Sequence, residues 1–231
     1  MSDFFAESDW LDFSNVVDQE TEFIPLISPE EEDRMNTEEV PEKLSILPLR
    51  NNVLFPGVVM PITVGRDKSI KLIQDAYKGN KIIGVVSQKD SSIEEPVYED
   101  LYSVGTVAQI VRLLKMPDGS STVILQGKKR MNLVGFVQSE PYLIANVKPF
   151  NDKREKNLSK ESHALFDSLK DMALSIIKQS PNIPSEASFA IKNIESPTFL
   201  VNFISSHMQA DVVDKQKMLE ETGVMERANS L

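Results

Sequence analysis

The stretch Leu44–Arg66, LSILPLRNNVLFPGVVMPITVGR, constrains the fold more than any other part of this sequence. It is the first long apolar run of the chain, and three prolines interrupt it. Proline has no N–H to donate to a neighbouring strand, so prolines fit short edge strands and bends better than a long central strand. The stretch therefore predicts two short strands, at about 45–50 and 58–64, with a corner between Asn51 and Gly57.

The residues that follow, up to Phe150, predict a β-rich unit with one helix. The helix is expected over Arg66–Lys78, where apolar residues recur at helical spacing and Gly79 follows as a terminator. Further strands are predicted at 81–88, 104–116, 121–126, 128–137 and 142–150, with a hairpin turn at 117–120. Six or seven short strands with a single helix favour a small, partly closed barrel over a parallel sheet.

After a charged linker at 151–157, the apolar period changes from 2 to 3.6. Leu165, Leu169, Met172 and Ile176 step by 4, 3 and 4, which predicts a long helix at about 158–179 with these residues as its buried stripe. Three shorter helices and a last helical piece, 224–231, are expected to follow. The predicted N-caps of the three are Ser185, Ser196 and Asp211. The last piece carries no stop signal, which favours a natural chain that continues past Leu231.

The first 43 residues are strongly acidic. They hold 14 Asp and Glu against 2 Lys and Arg, so their net charge is −12, whereas the remaining residues sum to +2. Such a segment buries too little apolar surface to offset its ordering entropy, and it is predicted to be a largely disordered leader. It could be a docking tail with aromatic anchors or a solubilising tail. The short apolar run Phe23–Ile27 is expected to pack against the body.

The sequence lacks the usual signatures of catalysis. It has no cysteine, no phosphate-binding GxxxxGK[ST] loop, no GxGxxG, and only two histidines, His163 and His207, on separate predicted helices. An SxxK pattern at Ser175–Lys178 overlaps the buried stripe of the long helix and has no partner motif. We therefore expect no catalytic, cofactor-binding or metal-binding residues in these 231 residues. The sequence also shows no secretory signal and no membrane span, which favours a cytoplasmic protein.

A basic cluster, Lys128–Arg130, leaves a nucleic-acid-binding barrel open as an alternative. Small barrels bind single strands through charge and stacking, but only Phe136, Tyr142 and Phe150 lie near this cluster in the sequence. A solvated hairpin rim is the simpler interpretation. Elsewhere, Phe55 and the run Val58–Met60 provide more apolar side chains than the edge of a small barrel is expected to bury, which predicts an interaction surface.

Five motifs together resemble the N-terminal domain of the Lon family of ATP-dependent proteases. They span 46–231 nearly end to end. The motifs are LPLRNNVLFPGVVMPITVGRDKSI (47–70), SVGTVAQI (103–110), LLKMPDGSSTVILQGKKR (113–130), SPTFLVNFISSHM (196–208) and DKQKMLEETGVMER (214–227). The resemblance implies an α+β chain: a PUA-like small β-barrel subdomain at 44–150, followed by an all-α helical bundle subdomain at 151–231.

The resemblance also implies a function. The parent enzyme would be an ATP-dependent serine endopeptidase, with an ATPase module that uses ATP and Mg and a protease module with a Ser–Lys dyad, both outside this sequence. This domain would recognise misfolded or tagged proteins, help to assemble a hexamer with other Lon subunits, and deliver substrates to the ATPase pore. A stand-alone adaptor, or the nucleic-acid-binding barrel with DNA as its partner, are the alternatives.

The predicted client contacts lie in the stretch Leu44–Arg66 and in the GRDKSI turn that overlaps its end. Phe55, Val58 and Met60 are expected to supply the apolar surface, and Arg66 and Lys68 a polar rim.

Overall fold

The computed structural model describes residues 28–115, 121–152, 159–179 and 185–231. The predictions for residues 1–27, the hairpin turn at 117–120 and the linker from 153 to 157 lie outside the described residues. Six strands are present in the described part: β1 Lys43–Leu49, β2 Val59–Val64, β3 Ile82–Ser87, β4 Val104–Lys115, β5 Ser121–Gln138 and β6 Ile144–Pro149. Seven α-helices accompany them: α1 Pro29–Thr37, α2 Asp67–Lys78, α3 Lys160–Gln179, α4 Ser185–Asn193, α5 Pro197–His207, α6 Val212–Glu220 and α7 Val224–Asn229. This is the predicted α+β class.

Five of the strands close into a ring. β1 pairs with β3 in parallel and with β6 antiparallel, β3 pairs with β4, β4 with β5, and β5 returns to β6. β5 is a single strand of 18 residues, where the sequence predicted two. Its first part pairs with β2 and its second part with β6, and register shifts mark its bends.

The corner between β1 and β2 is held in place by groups from other elements. The Thr106 hydroxyl donates a hydrogen bond of 2.6 Å to the Leu54 carbonyl. Gly57 has a φ of 83°, and its N–H donates to the Gly127 carbonyl at 2.9 Å. A Cβ on Gly127 would overlap the carbonyl oxygen of Phe55, so only glycine permits this close approach. The corner is thus built into the fold.

The strands and the C-terminal helices share one apolar cluster. Phe55 and Val58 from the corner lie in it with buried residues from all five helices α3–α7, and Phe55 is fully buried. Two polar side chains of the helices also bind the strand half of the fold. Asn202 of α5 donates to the Pro56 carbonyl at 3.0 Å, and Gln216 of α6 donates to the Val104 carbonyl at 2.9 Å. Buried hydrogen bonds of this kind fix the relative position of the elements that they join.

Three expectations about helices need correction. Helix α1 forms inside the segment predicted to be disordered, because Ser28 and Glu31 make a capping box and Met35 is buried. Met172 and Ile176 of α3 are 51% and 60% exposed, because the face that packs on the core is offset by one residue: after Leu169 it continues with the partly buried Ala173 and Ile177.

The third correction concerns a helix end, because α7 ends at Asn229 instead of running to the last residue. Ser185 is the first described residue of α4, so its predicted role as a cap stays a prediction. The predicted caps Ser196 and Asp211 are confirmed, since each side chain accepts a backbone N–H in the first turn of its helix. Within the described ranges, no helix is both long and apolar enough to cross a membrane.

Candidate functional site

A groove of about 380 Å³ lies between the start of α2, the loop that precedes β4 and the end of β5. Strand β1 forms its floor, and aromatic and aliphatic side chains stand beside charged ones along its walls. The lining residues are Ile46, Pro48, Arg66, Lys68, Ser69, Leu72, Glu95, Pro96, Val97, Tyr98, Glu99, Phe136, Ser139, Tyr142 and Leu143.

Two large apolar side chains remain half exposed in this groove. Val97 is 51% exposed and Phe136 is 50% exposed. Tyr98 packs edge-on against Phe136, with 6.2 Å between the ring centroids, so the aromatic ring has a fixed orientation while part of it faces solvent. Solvent-exposed apolar side chains at the wall of a concave groove are typical of a contact surface for a partner.

Arg66 is a positioned cation at the rim of the groove. Its Nη2 donates a hydrogen bond of 2.5 Å to the Oε1 of Gln88. Gln88 is itself buried, and its Nε2 donates to the carbonyls of Asp90 and Ile93, which ties the following loop to the same residue. Partial burial, and then the charge of Arg50, lower the pKa of Arg66 from its ordinary value. The guanidinium group is nonetheless charged at neutral pH, because arginine is effectively always protonated in proteins.

Lys68 lies on the same rim but is held differently. Its Nζ lies 2.7 Å from the Oε1 of Glu140, and both side chains are well exposed. The hydrogen bond to Glu140 raises the pKa of Lys68. Because water and salt screen exposed ion pairs, Lys68 can exchange Glu140 for a carboxylate of a ligand. Glu95 and Glu99 also line the groove, so its rim offers both signs of charge.

The structure separates the five predicted contact residues into two groups. Arg66 and Lys68 line the groove, whereas Phe55, Val58 and Met60 do not. These three are 0%, 3% and 9% exposed, so the expectation of surplus apolar surface in the corner is wrong. The reason is that the C-terminal helices cover Phe55 and Val58, and Met60 packs in a cluster that α2 joins. Their contact with a client stays a prediction.

The apolar wall of the groove was not predicted from the sequence. A usable signal is the alternation along β5, where Met131 and Leu133 are buried while Val134 and Phe136 are exposed. Two outward-facing apolar residues in one strand indicate a contact surface. Val97 gave no such signal, because it is a single apolar residue that follows Glu94, Glu95 and Pro96 in a loop.

The basic cluster is not a solvated rim. Arg130 is 2% exposed, and its Nη1 donates to the carbonyls of Leu219 and Glu221 at the end of α6. Its Nη2 binds the Asp152 carboxylate. Lys129 donates to the carbonyls of Asn36 and Glu38 at the end of α1. Two of the three cations are thus engaged inside the fold. The part of the chain that the structure describes has no cluster of three or more His, Cys, Asp or Glu suited to a metal ion.

Residues 43–231 match the family model of the substrate-binding domain of the ATP-dependent protease La (LON). The Lon protease of Flavobacterium johnsoniae is 57% identical over 211 residues, covering 91% of this chain and 26% of that protein. The Lon protease of Cytophaga hutchinsonii is 50% identical over 210 residues, with the same two coverages. This chain therefore spans about a quarter of the length of these relatives.

Solved structures show the same fold. The N-terminal domain of a Mycobacterium avium complex Lon protease aligns with a TM-score of 0.65 at 18% identity, covering 81% of this chain and 94% of that one. A Lon N-terminal domain protein from Xanthomonas campestris aligns with a TM-score of 0.59 at 16% identity, covering 81% and 95% respectively.

Proposed function

This chain belongs to the family of Lon substrate-binding domains, and from that premise we propose that it recognises unfolded segments of damaged or tagged proteins in the groove beside α2. The observation that supports this proposal most is the pair of half-exposed apolar side chains, Val97 and Phe136, beside a rim of Arg66 and Lys68. Folded proteins bury such apolar residues, whereas unfolded proteins expose them, so an apolar groove discriminates between the two.

Binding follows from simple contacts. An apolar side chain of the client packs against the ring of Phe136 and the Val97 side chain, and this removes apolar surface from water. Arg66 and Lys68 bind client carboxylates or carbonyls at the rim, while Glu95 and Glu99 accept from client cations or N–H groups. An affinity on the order of 10–100 µM is expected, because ordering a flexible client offsets much of the contact energy.

The parent protein would use this weak binding through multiple copies. We propose an ATP-dependent serine protease that assembles as a hexamer, in which six such grooves raise the effective concentration of the client and deliver it to the ATPase pore. An assembly role is supported by exposed apolar side chains of α3 and α4, namely Met172, Ile176 and Phe189 at 51%, 60% and 66% exposure. Replacing Met172 and Ile176 by serine in the full-length protein should lower its oligomeric mass in analytical ultracentrifugation; an unchanged hexamer would refute that role.

The same proposal assigns roles to the two halves of the fold. The ring of strands corresponds to the PUA-like barrel subdomain and helices α3–α7 to the helical bundle subdomain. Phe55 and Val58 pack between the strands and the helices, and Met60 packs between the strands and α2. Direct contact of these residues with a client is a prediction, which Phe55→Ala tests for Phe55.

The groove is tested by its affinity for a permanently unfolded polypeptide, such as carboxymethylated α-lactalbumin, measured by fluorescence anisotropy. Loss of about 1–2 kcal/mol of apolar contact is expected from Phe136→Ser, which is a weakening of roughly five- to thirtyfold. Val111→Ser is the matched control, since Val111 is 52% exposed and does not line the groove. Equal affinities for the two variants, both folded, would contradict the proposal.

A further inference from the structure

A second cavity, of about 280 Å³, lies between α1, β5 and the C-terminal helices. None of the residues that line the groove lines this cavity. Its wall contains two buried guanidinium groups, those of Arg130 and Arg227, which are 2% and 3% exposed. It is therefore a separate site, and its chemistry differs from that of the groove.

The two arginines are not equally satisfied. Arg130 donates to two carbonyls and to the Asp152 carboxylate, and it stacks on the ring of Phe150 at 4.3 Å. Arg227 donates from Nη1 to the Oδ1 of Asn202 at 2.6 Å, which is a neutral acceptor. Its Nε is buried and has no hydrogen-bond partner among the described residues. No carboxylate of the described chain lies within 4 Å of Arg227.

A buried cation with an unused donor is costly unless something compensates it. Burial, and then the charge of Arg130, lower the pKa of Arg227 to about 10, while Asp152 and Glu221 oppose this shift. Native proteins pair nearly all buried charges and donors with protein groups, ions or water. The charge of the Arg227 guanidinium thus favours an anion at the cavity wall.

Other groups around the cavity favour the same kind of ligand. Lys128 lines it and is only half buried, and the first turn of α5, from Pro197 to Phe199, places the positive end of that helix dipole at the wall. Acidic groups are present too: Glu32 and Asp33 of α1 line the cavity, and Asp152 is bound to Arg130. The four cationic side chains that line the cavity exceed these three acids by one, while Glu221, which is not a lining residue, also acts on the charge of Arg227.

We propose that this cavity binds a single oxyanion, a phosphate or a carboxylate group, with Arg227 as its central ligand and Lys128 as a second cation. The bound anion would contact α5, α7 and β5 at once and would thereby stabilise the joint between the strands and the helices. This inference is independent of client binding in the groove. A ligand that binds only the folded state raises its stability in proportion to the logarithm of one plus its concentration over Kd.

The test is titration calorimetry of the 231-residue protein at pH 7 with two probes, inorganic phosphate and the carboxylate of N-acetylglutamate amide, at constant ionic strength. At least one probe should bind. The probe with the lower Kd shows whether the natural ligand is a phosphate or a carboxylate. Lys128→Gln should weaken binding about fivefold, the factor that corresponds to loss of one partly exposed charge contact. Arg227→Lys, which keeps the charge but loses the planar fork, should weaken it more than tenfold.

Lys148→Gln is the matched control, because Lys148 is an exposed lysine of β6 outside the cavity. It should leave the affinity unchanged. The proposal is overturned if neither probe binds the wild type, or if Lys128→Gln and Lys148→Gln weaken binding equally, which would indicate general charge screening. Lys128 makes no contact that the fold depends on in the described structure, so this comparison decides the question even if Arg227→Lys does not fold.

Discussion

Phe55→Ala separates a packing role from a contact role for the most buried aromatic residue in the described part of the chain. Phe55 has an exposed fraction of 0% and lies at the corner between β1 and β2, in the cluster that the strands share with α3–α7. Its truncation removes a whole ring from the joint between the two halves. The surrounding hydrogen bonds, from Asn202 to Pro56 and from Thr106 to Leu54, hold the corner in place and oppose collapse into the space.

The expected loss is large. A Phe→Ala change at a fully buried site removes the transfer free energy of the ring and leaves a cavity, and together these cost about 3–5 kcal/mol. The rigid corner favours the upper part of that range. For a domain of this size each 1 kcal/mol lowers the Tm by about 2–4 °C, so the Tm should fall by roughly 6–20 °C.

Guanidinium titration followed by circular dichroism measures this loss. Phe189→Ala is the control, since Phe189 is 66% exposed and its truncation should change the free energy of unfolding by less than about 0.5 kcal/mol. Below the unfolding transition, Phe55→Ala should bind an unfolded client with wild-type affinity. A variant that keeps full stability but loses client binding would refute the packing argument and establish Phe55 as a contact residue.

Three further predictions follow from named contacts. Gly127→Ala should lower the free energy of unfolding by about 1–3 kcal/mol, because its Cβ overlaps the Phe55 carbonyl; an unchanged denaturation midpoint would be the contrary result. Arg130→Met should lower the free energy of unfolding by about 3–5 kcal/mol, since it leaves Asp152 and two carbonyls at the end of α6 without their donor. A denaturation midpoint equal to that of Lys148→Gln, a change at an exposed site, would disprove this. The hydrogen bond from Lys71 lowers the pKa of Asp75 in the folded state. The ionised carboxylate therefore stabilises the fold fully above the unfolded-state pKa of about 3.9, and this stabilisation is lost as the pH falls through the lower pKa of the folded state. Asp75→Asn should therefore flatten the fall in stability below pH ~4, as urea midpoints across pH 2–6 would reveal.

Much of the strand and helix order follows from local rules in the sequence. The prolines of Leu44–Arg66 predict two short strands and a corner, and both β1 and β2 are found there. The caps at Ser196 and Asp211 are equally local, because a cap depends on its own side chain and the next turn.

What the sequence did not predict depends on tertiary contacts. The burial of Phe55 requires the helices α3–α7, which lie more than 100 residues further along the chain, so its apolar neighbours resembled an exposed surface. Helix α1 forms within an acidic segment because Met35 and Lys129 anchor it to the body. Met172 and Ile176 are exposed because α3 turns the neighbouring Ala173 and Ile177 toward the core, and helical periodicity alone does not decide between two adjacent apolar faces.

The groove residues divide in the same way, into those that the local sequence predicts and those that depend on tertiary contacts. Arg66 and Lys68 were predicted because they belong to the conspicuous first motif, whereas Val97 and Phe136 come from a loop and a strand end that only the folded ring brings together. Arg130 resembled a surface cation in the sequence, and its burial depends on acceptors from α6 and Asp152.

Methyl NMR of the isotopically labelled domain shows which apolar side chains an unfolded client contacts. An unlabelled, permanently unfolded polypeptide is titrated into the protein, and the valine methyl signals are followed. The groove predicts the largest shifts at Val97, with Val111 and Val213, which are 52% and 45% exposed outside the groove, left unchanged. Shifts centred on Val111 or Val213, with Val97 unaffected, would show that clients bind elsewhere and would contradict the account.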